Sequence, residues 1–329
     1  MKTVIHRPSP AILRRLAAVL RRGGLVAVPT ETVYGLAANA LDAKACARIF
    51  RAKRRPANDP LIVHVTDLAA AEGLAVWNDV ARRLAERFWP GPLTLVLPRR
   101  ELIPDIVTSG QDSVALRSPA HPLTRKILRL SGVPLAAPSA NPFGYVSPTT
   151  AEHVVRGLGG RIGHVLDGGP CAVGLESTIV DARDPRRLVV LRPGAVTPEH
   201  LRAALRATGQ GRTRVVLGRR ELVLAPGLLD QHYSPRTPFS LVARASQMKT
   251  IDTAVIRWRR PSGSRRGKRG EFWLSRDGQA REAARRLYAV LRAADASGKS
   301  RIVCEAAPRS AGSLGQAIND RLRRAAADR

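Results

Sequence analysis

Two patterns of apolar residues, a helical spacing and short continuous runs, alternate along most of the chain. Residues 12–20 place apolar side chains at every third or fourth position, which predicts an amphipathic helix, and residues 25–28 form a continuous apolar run, which predicts a buried strand. Gly23 and Gly24 stand between the two segments and are typical of a helix end. Because this alternation continues to about residue 205, the pattern predicts an α/β fold.

The remaining elements of this first part follow from the same pattern. Asp42 is a capping residue before a helix that ends in the cations at positions 53–55. Further helices are predicted at 78–88, 122–130, 150–157 and 197–205, and further strands at 61–63, 93–97, 114–119 and 188–191.

The composition changes between residues 209 and 221, which predicts a domain boundary. We therefore expect a first domain at 1–210, a linker at 211–238 and a second domain at 239–329. In the second domain, predicted strands at 252–258, 272–275 and 301–306 alternate with helices near 281–293 and 316–327, which indicates a small α/β sheet. Residues 259–270 are rich in Arg, Lys, Gly and Ser and predict a flexible basic loop.

The chain is strongly basic, with 55 Lys and Arg against 26 Asp and Glu among 329 residues, a net charge of +29. Such a charge favours polyanionic partners, either nucleotides or RNA. Many arginines are scattered along predicted helices, however, so compositional bias explains the excess equally well.

Three cysteines, Cys46, Cys171 and Cys304, are far apart and show no spacing typical of zinc ligands. This pattern argues against a disulfide framework and a structural zinc site. No apolar run approaches the roughly 20 residues that span a bilayer. We therefore expect a soluble cytoplasmic protein with no membrane partner.

The largest cluster of candidate functional side chains lies at residues 53–64, where Lys53, Arg54 and Arg55 precede an apolar run that ends in His64. Pro56 and Pro60 restrict the backbone around these cations, so the segment presents its charges rigidly. We interpret it as a polyphosphate grip. A basic helix end followed by a core strand is the alternative, since cations also suit a helix C-terminus.

Other polar side chains follow predicted strands, which is the usual position of a site in an open α/β sheet. Thr30, Arg117 and Arg192 each lie at such an exit, and small polar residues stand among prolines at 138–150 and at Glu176 to Thr178. Ordinary turns and helix caps would use the same residue types. The chain has no GxxxxGK[ST] loop and no GxGxxG fingerprint after a strand, so dispersed side chains would have to hold a nucleotide.

The linker at 224–235 contains imidazole and phenol groups that a tether does not need, including Tyr233. We predict that it lies over the cleft of the first domain.

Four motifs, at residues 29–35, 53–64, 138–149 and 176–178, together resemble the YrdC family of threonylcarbamoyl-AMP synthases. The linker and residues 312–322 resemble the long, two-domain form of that family. The resemblance implies a twisted mixed-sheet α/β first domain with a large basic concave cavity, and a small Rossmann-like α/β second domain.

The resemblance also implies a reaction in which L-threonine, bicarbonate and ATP give threonylcarbamoyl-AMP and pyrophosphate, with Mg²⁺ carried by the ATP phosphates. A separate tRNA threonylcarbamoyl transferase complex would take the product to an adenosine beside the anticodon. The residues implied to contact threonine or bicarbonate are Thr30, His64, Arg117 and Ser177. The residues implied to contact ATP are Lys53, Arg55, Ser139, Asn141, Ser147, Arg192 and Tyr233, of which Lys53 and Arg55 would be catalytic.

Two other classes of protein compete with this interpretation. Carbamoyl-transfer proteins of hydrogenase maturation resemble the first domain but add zinc-binding CxxC pairs, which three isolated cysteines exclude. A non-catalytic RNA-binding or ribosome-maturation module could use the same basic cavity. It would bind RNA in a salt-sensitive way and release no pyrophosphate.

Overall fold

In the computed structural model, residues 1–218, 232–245, 251–262 and 270–327 are described. Residues 219–231 of the predicted linker at 211–238, and residues 263–269 of the predicted basic loop, lie outside the described residues.

Within residues 1–218, the first domain contains eleven strands and eight helices. The strands are β1 (Val4–His6), β2 (Val26–Val28), β3 (Gly35–Asn39), β4 (Ile62–His64), β5 (Leu93–Pro98), β6 (Ser113–Arg117), β7 (Leu135–Ala136), β8 (His164–Leu166), β9 (Thr178–Asp181), β10 (Arg187–Arg192) and β11 (Arg214–Leu217). The helices are α1 (Pro10–Arg21), α2 (Ala43–Lys53), α3 (Leu68–Glu72), α4 (Asp79–Phe88), α5 (Asp105–Thr108), α6 (Pro122–Ser131), α7 (Ala151–Leu158) and α8 (Pro198–Ala207).

The strands of this domain form one mixed sheet in the order β1-β8-β2-β3-β7-β4-β6-β5-β9-β10-β11. The sheet combines parallel pairs, such as β4 with β6, and antiparallel pairs, such as β5 with β6. The central strands are short and buried along their length, as their continuous apolar runs predict. The predicted mixed-sheet α/β fold is confirmed.

In its described residues, the second domain is a four-stranded parallel sheet in the order β12-β15-β13-β14 with two α-helices. Its strands are β12 (Phe239–Val242), β13 (Thr253–Arg259), β14 (Glu271–Ser275) and β15 (Arg301–Glu305), and its helices are α9 (Ala280–Asp295) and α10 (Gly312–Ala325). The predicted small α/β sheet is present with one additional strand, β12.

The first sheet extends further than the sequence indicates. The expected boundary at residue 210 falls before β11, which pairs in parallel with β10 through Arg187 opposite Arg214. The polar residues around β11 prevented its prediction from the sequence, because only Val215 of this strand is buried.

The two domains share a hydrophobic cluster. Val33, Val146 and Leu175 of the first domain and Tyr233 of the linker pack with the buried core of the second domain. The second domain therefore lies directly against loops that carry candidate site residues.

Among the described residues, no helix is both long enough and apolar enough to cross a lipid bilayer.

Candidate active site

Seven of the eleven predicted site residues line one small cavity at the ends of several strands of the first sheet. They are Arg55, His64, Arg117, Ser139, Ser177, Arg192 and Tyr233. The other four, Thr30, Lys53, Asn141 and Ser147, are buried close behind them and bond to their neighbours. The structure thus gathers the predicted residues in one region.

Arg117 ends β6 and is held by an acidic and a hydroxyl partner. Its Nη2 lies 2.7 Å from Glu31 Oε1, its Nη1 donates to Thr32 Oγ1 at 2.9 Å, and its Nε donates to the carbonyl of Gly91 at 3.2 Å. A guanidinium carries five N–H donors, so two remain for a carboxylate ligand.

Thr30 has a local role in the turn after β2. Its hydroxyl donates to the carbonyl of Val33 at 2.6 Å and accepts from the amides of Thr32 and Val33 at 3.2 Å. The turn thereby presents Thr32 to Arg117, a role that the sequence assigned to no residue. Thr30 does not itself line the cavity.

His64 ends β4 and is buried, with Nδ1 lacking a hydrogen-bond partner among the described residues. Burial and the nearby Arg117 lower the pKa of His64 to about 3. The imidazole is therefore neutral near pH 7 and can accept a hydrogen bond from a ligand.

This histidine should make stability depend on pH. Its pKa is lower in the folded protein than the ordinary 6.5, so the unfolded chain binds more protons and stability falls as pH drops from about 6.5 toward 3. Urea unfolding of wild type and His64→Asn between pH 7.5 and 4.5 should show a stability difference that shifts against wild type on acidification. The other buried histidines are common to both proteins, so parallel pH profiles would contradict this assignment.

Lys53 ends α2, and its ammonium is buried behind the cavity. Nζ donates to the carbonyls of Ser139 and Asn141 at 2.5 and 2.6 Å. The Asn141 amide in turn donates to the carbonyls of Pro142 and Tyr145 at 2.8 Å each. Lys53 therefore joins α2 to the loop after β7 and fixes the position of Ser139.

Arg55 follows Arg54, the left-handed residue that caps the C-terminus of α2. Its Nε and Nη2 donate to the carbonyls of Asp59 and Pro60 at 2.9 and 2.7 Å, and Nη2 lies 2.8 Å from Asp59 Oδ2. The two prolines of the segment thus stand in a loop that folds back onto its own arginine.

Arg192 ends β10 and contacts the start of β9. Its Nε and Nη2 donate to the carbonyl and hydroxyl of Ser177 at 3.1 and 3.2 Å, and that hydroxyl also lies 2.7 Å from Thr94 Oγ1. Gly194 allows this close approach, because a Cβ there would lie 2.7 Å from the amide nitrogen of Thr178.

The buried cations outnumber the acidic groups beside them among the described residues, because Lys53, Arg55 and Arg192 lie near Asp59, which pairs with Arg55, while Glu176 pairs with Arg321. Burial, then Arg55, lowers the pKa of Lys53 well below its usual value, and burial also lowers the pKa of Arg55 and Arg192. Burial raises the pKa of Asp59 against the influence of Arg55. Each of these pKa shifts means that burial destabilises the charged form of the side chain. A bound anion would therefore stabilise the charged forms of Lys53, Arg55 and Arg192.

Glu176 is the main residue that the candidate set missed. Its Oε1 accepts from Ser147 Oγ at 2.6 Å, and its Oε2 accepts from Tyr288 Oη at 2.7 Å and Arg321 Nε at 3.1 Å. Burial opposes ionisation, but Arg321 and Arg192 outweigh it and lower the pKa of Glu176. Tyr288 and Arg321 belong to the second domain.

The linker residues His232 and Tyr233 line the cavity. Their rings lie 4.2 Å apart, and Tyr233 adopts a positive φ of 67° while its buried hydroxyl has no hydrogen-bond partner among the described residues. The remaining volume is about 30 Å³, enough for one or two water molecules.

A wider concavity of about 730 Å³ lies along the exposed side of α2. Arg48, Arg51, Arg54 and Arg161 line it, but none of the eleven predicted site residues does. We therefore locate the chemistry in the smaller cavity, where the charged and hydroxyl groups converge.

Within the described parts of the chain, no three His, Cys, Asp or Glu side chains cluster closely enough to hold a metal ion. The three cysteines are buried and form no disulfide.

Comparison with known proteins relates both domains to one family. The Sua5–YciO–YrdC family model, described as "Telomere recombination", matches residues 18–194, and "Threonylcarbamoyl-AMP synthase, C-terminal domain" matches residues 196–327. The threonylcarbamoyl-AMP synthase of Pyrococcus abyssi is 40% identical over 95% of this chain and 93% of its own length. That of Bacillus subtilis is 38% identical over 96% of this chain and 93% of its own length.

The solved structures agree. The crystal structure of P. abyssi Sua5 complexed with L-threonine superposes with a TM-score of 0.86 at 38% identity, covering 99% of this chain and 97% of that one. Both domains and their order in the chain therefore match, and this chain belongs to the threonylcarbamoyl-AMP synthase family in its two-domain form.

Proposed function

We propose that this protein is an adenylyl-transferring enzyme that converts L-threonine, bicarbonate and ATP into threonylcarbamoyl-AMP, pyrophosphate and water. Family membership over the whole chain supports the activity. The observation that carries it in this molecule is that the cations Lys53, Arg55 and Arg192 are buried together at or beside the cavity, with Asp59 paired to Arg55, an arrangement that suits a polyphosphate.

On the threonine side, the two unused N–H groups of Arg117 would bind the amino-acid carboxylate. Neutral His64 would accept a hydrogen bond from the threonine hydroxyl or amine without repelling a cation. Ser177 lies between this half and Arg192. The threonine amine would attack bicarbonate to form a carbamate, with loss of water.

On the ATP side, a carbamate oxygen would attack the α-phosphorus, and the bond to the bridging oxygen would break to release pyrophosphate. Negative charge then grows on the α-phosphate and leaving-group oxygens. Arg55 and Arg192 would stabilise that charge, and Lys53 would do so directly or by holding Ser139. We treat Mg²⁺ as part of the MgATP substrate and give it no protein ligand and no step.

Substrate entry requires movement of the linker in this proposal. Sites for ligands of this size usually enclose about 300–1,000 Å³, far more than the residual cavity. His232 and Tyr233 line this cavity, where Tyr233 has a left-handed backbone and a buried hydroxyl without a hydrogen-bond partner among the described residues, two features that destabilise this position. Their displacement would open the site to ATP, with Tyr233 then closing over the nucleotide.

The chemistry of the product also indicates which reaction must follow. Threonylcarbamoyl-AMP is a mixed anhydride, so an acceptor must take its acyl group before water does. We propose a tRNA threonylcarbamoyl transferase complex as that acceptor and the cytoplasm as the location. Direct binding of tRNA by this chain stays a prediction.

The test is pyrophosphate release from the purified protein with MgATP, L-threonine and bicarbonate. Release should require all three substrates and should match threonylcarbamoyl-AMP formation mole for mole. Salt-sensitive RNA binding with no threonine-dependent pyrophosphate would instead support the non-catalytic RNA-binding alternative.

A further inference from the structure

The second domain reaches the site through two side chains, Tyr288 of α9 and Arg321 of α10. Both are fully buried, and both donate to the same carboxylate oxygen of Glu176, at 2.7 and 3.1 Å. Arg321 Nη1 also donates to the carbonyl of Pro193 at 2.7 Å. These contacts cross the domain interface at a buried position, where a hydrogen bond to a charged group is strong.

The groups that they hold adjoin the ATP half of the site. Glu176 precedes Ser177 in the chain and accepts the Ser147 hydroxyl at 2.6 Å, and Pro193 follows Arg192. Arg192 in turn donates to Ser177. A shift of Glu176 or Pro193 would therefore move two of the proposed ATP contacts, Ser147 and Arg192, together with Ser177.

We infer that Tyr288 and Arg321 are positioning residues for ATP, acting from the second domain through Glu176. This inference rests on the proposed function, because that function places Ser147 and Arg192 beside ATP. The second domain thereby becomes part of the synthase site through its hold on Glu176 and Pro193.

Glu176 also determines how Ser147 can bond to a ligand. A serine hydroxyl has one hydrogen, and the 2.6 Å bond to Glu176 uses it. The Ser147 oxygen then has only acceptor capacity left. It suits a ribose hydroxyl or the adenine amino group rather than a phosphate oxygen, so the carboxylate makes Ser147 a contact for the nucleoside part of ATP.

Two tyrosines, Tyr288 and Tyr145, make it possible to distinguish a role in positioning the ATP contacts from a role in holding the two domains together. Tyr145 of the first domain donates to Asp295 Oδ2 of α9 at 2.7 Å, so it makes the same kind of bond across the same interface. That bond faces a separate concavity that contains none of the proposed ATP contacts. Tyr288→Phe and Tyr145→Phe each delete one interdomain hydrogen bond to a carboxylate and keep the ring.

Steady-state kinetics and equilibrium ATP binding should be measured on the full-length wild type and both variants, with urea unfolding in parallel. Tyr288→Phe should lower kcat/KM for ATP by about five- to twentyfold and weaken ATP binding. Tyr145→Phe should keep kcat/KM for ATP within about twofold at a comparable loss of stability.

A double-mutant cycle tests the route through Ser147. In a Ser147→Ala background, Tyr288→Phe should have much less effect on ATP binding than in wild type, since both changes break one chain of contacts. Equal losses of ATP affinity in the two tyrosine variants, or additive effects in the cycle, would overturn the inference. A wild type that binds ATP but releases no threonine-dependent pyrophosphate would overturn the proposed function, and the binding comparison would still decide the role of Tyr288.

Discussion

Replacing Lys53 with methionine should lower kcat for threonine-dependent pyrophosphate release by about 10²–10³-fold. Methionine keeps most of the aliphatic side chain but removes the ammonium that holds the carbonyls of Ser139 and Asn141. It also removes one of the cations that would stabilise charge on the phosphates. The initial rate of pyrophosphate release at saturating substrates measures the effect.

Arg54→Met is the matched control for this prediction. Arg54 is the next residue, is exposed, and lines none of the proposed site, so the same loss of charge should leave kcat within about twofold. Lys53→Met should still fold, at a cost of about 1–3 kcal/mol for two carbonyls left without their donor. Wild-type turnover in folded Lys53→Met would remove Lys53 from the site.

Replacing Arg321 with methionine should reduce the free energy of unfolding by about 3–5 kcal/mol, because it leaves the Glu176 carboxylate buried without its cation. The change also removes the bond to the Pro193 carbonyl. Wild-type Glu176 has a lowered pKa, so its pairing stabilises the fold above the ordinary value of 4.5 and is lost below it. The stability gap, measured by urea unfolding, should therefore narrow as pH falls through about 4.5.

Two further variants make the Arg321 result specific. Arg323→Met, an exposed arginine in the same helix, should change stability by no more than about 0.5 kcal/mol. Glu176→Gln combined with Arg321→Met should reduce the free energy of unfolding less than Arg321→Met alone does, because burying a neutral amide costs less free energy than burying an unpaired carboxylate. If Arg321→Met matched wild type in stability, Glu176 would need another source of charge compensation.

Local sequence was sufficient to predict the elements that carry most of the site. The apolar run at 61–63 predicts β4, with His64 at its end, and the cap at Asp42 predicts where α2 begins. Strand β3 was not predicted, because its Gly-Leu-Ala-Ala-Asn sequence has little β propensity. It becomes a strand through pairing with β2 and β7, which lie elsewhere in the chain.

The contacts of Glu176 could not be read from local sequence, because Arg321 lies 145 residues away. One signal did exist. In α10, Arg321 occupies a helical position between the buried residues Ile318, Leu322 and Ala325, where an arginine would need an acidic partner. The pattern identifies that an ion pair is required, but only the packing of the two domains identifies which carboxylate supplies it.

The shared hydrophobic cluster links the site to the cohesion of the whole molecule. Val33, Val146 and Leu175 each adjoin a polar site residue, namely Thr32, Ser147 and Glu176, and each inserts into the core of the second domain. Any fluctuation that detaches the domains would therefore displace all three polar groups at once, as one cooperative unit. A substitution in the core of the second domain that weakens this packing should therefore also lower the rate of adenylation. Natural selection on that rate would then act on core residues that do not take part in the reaction.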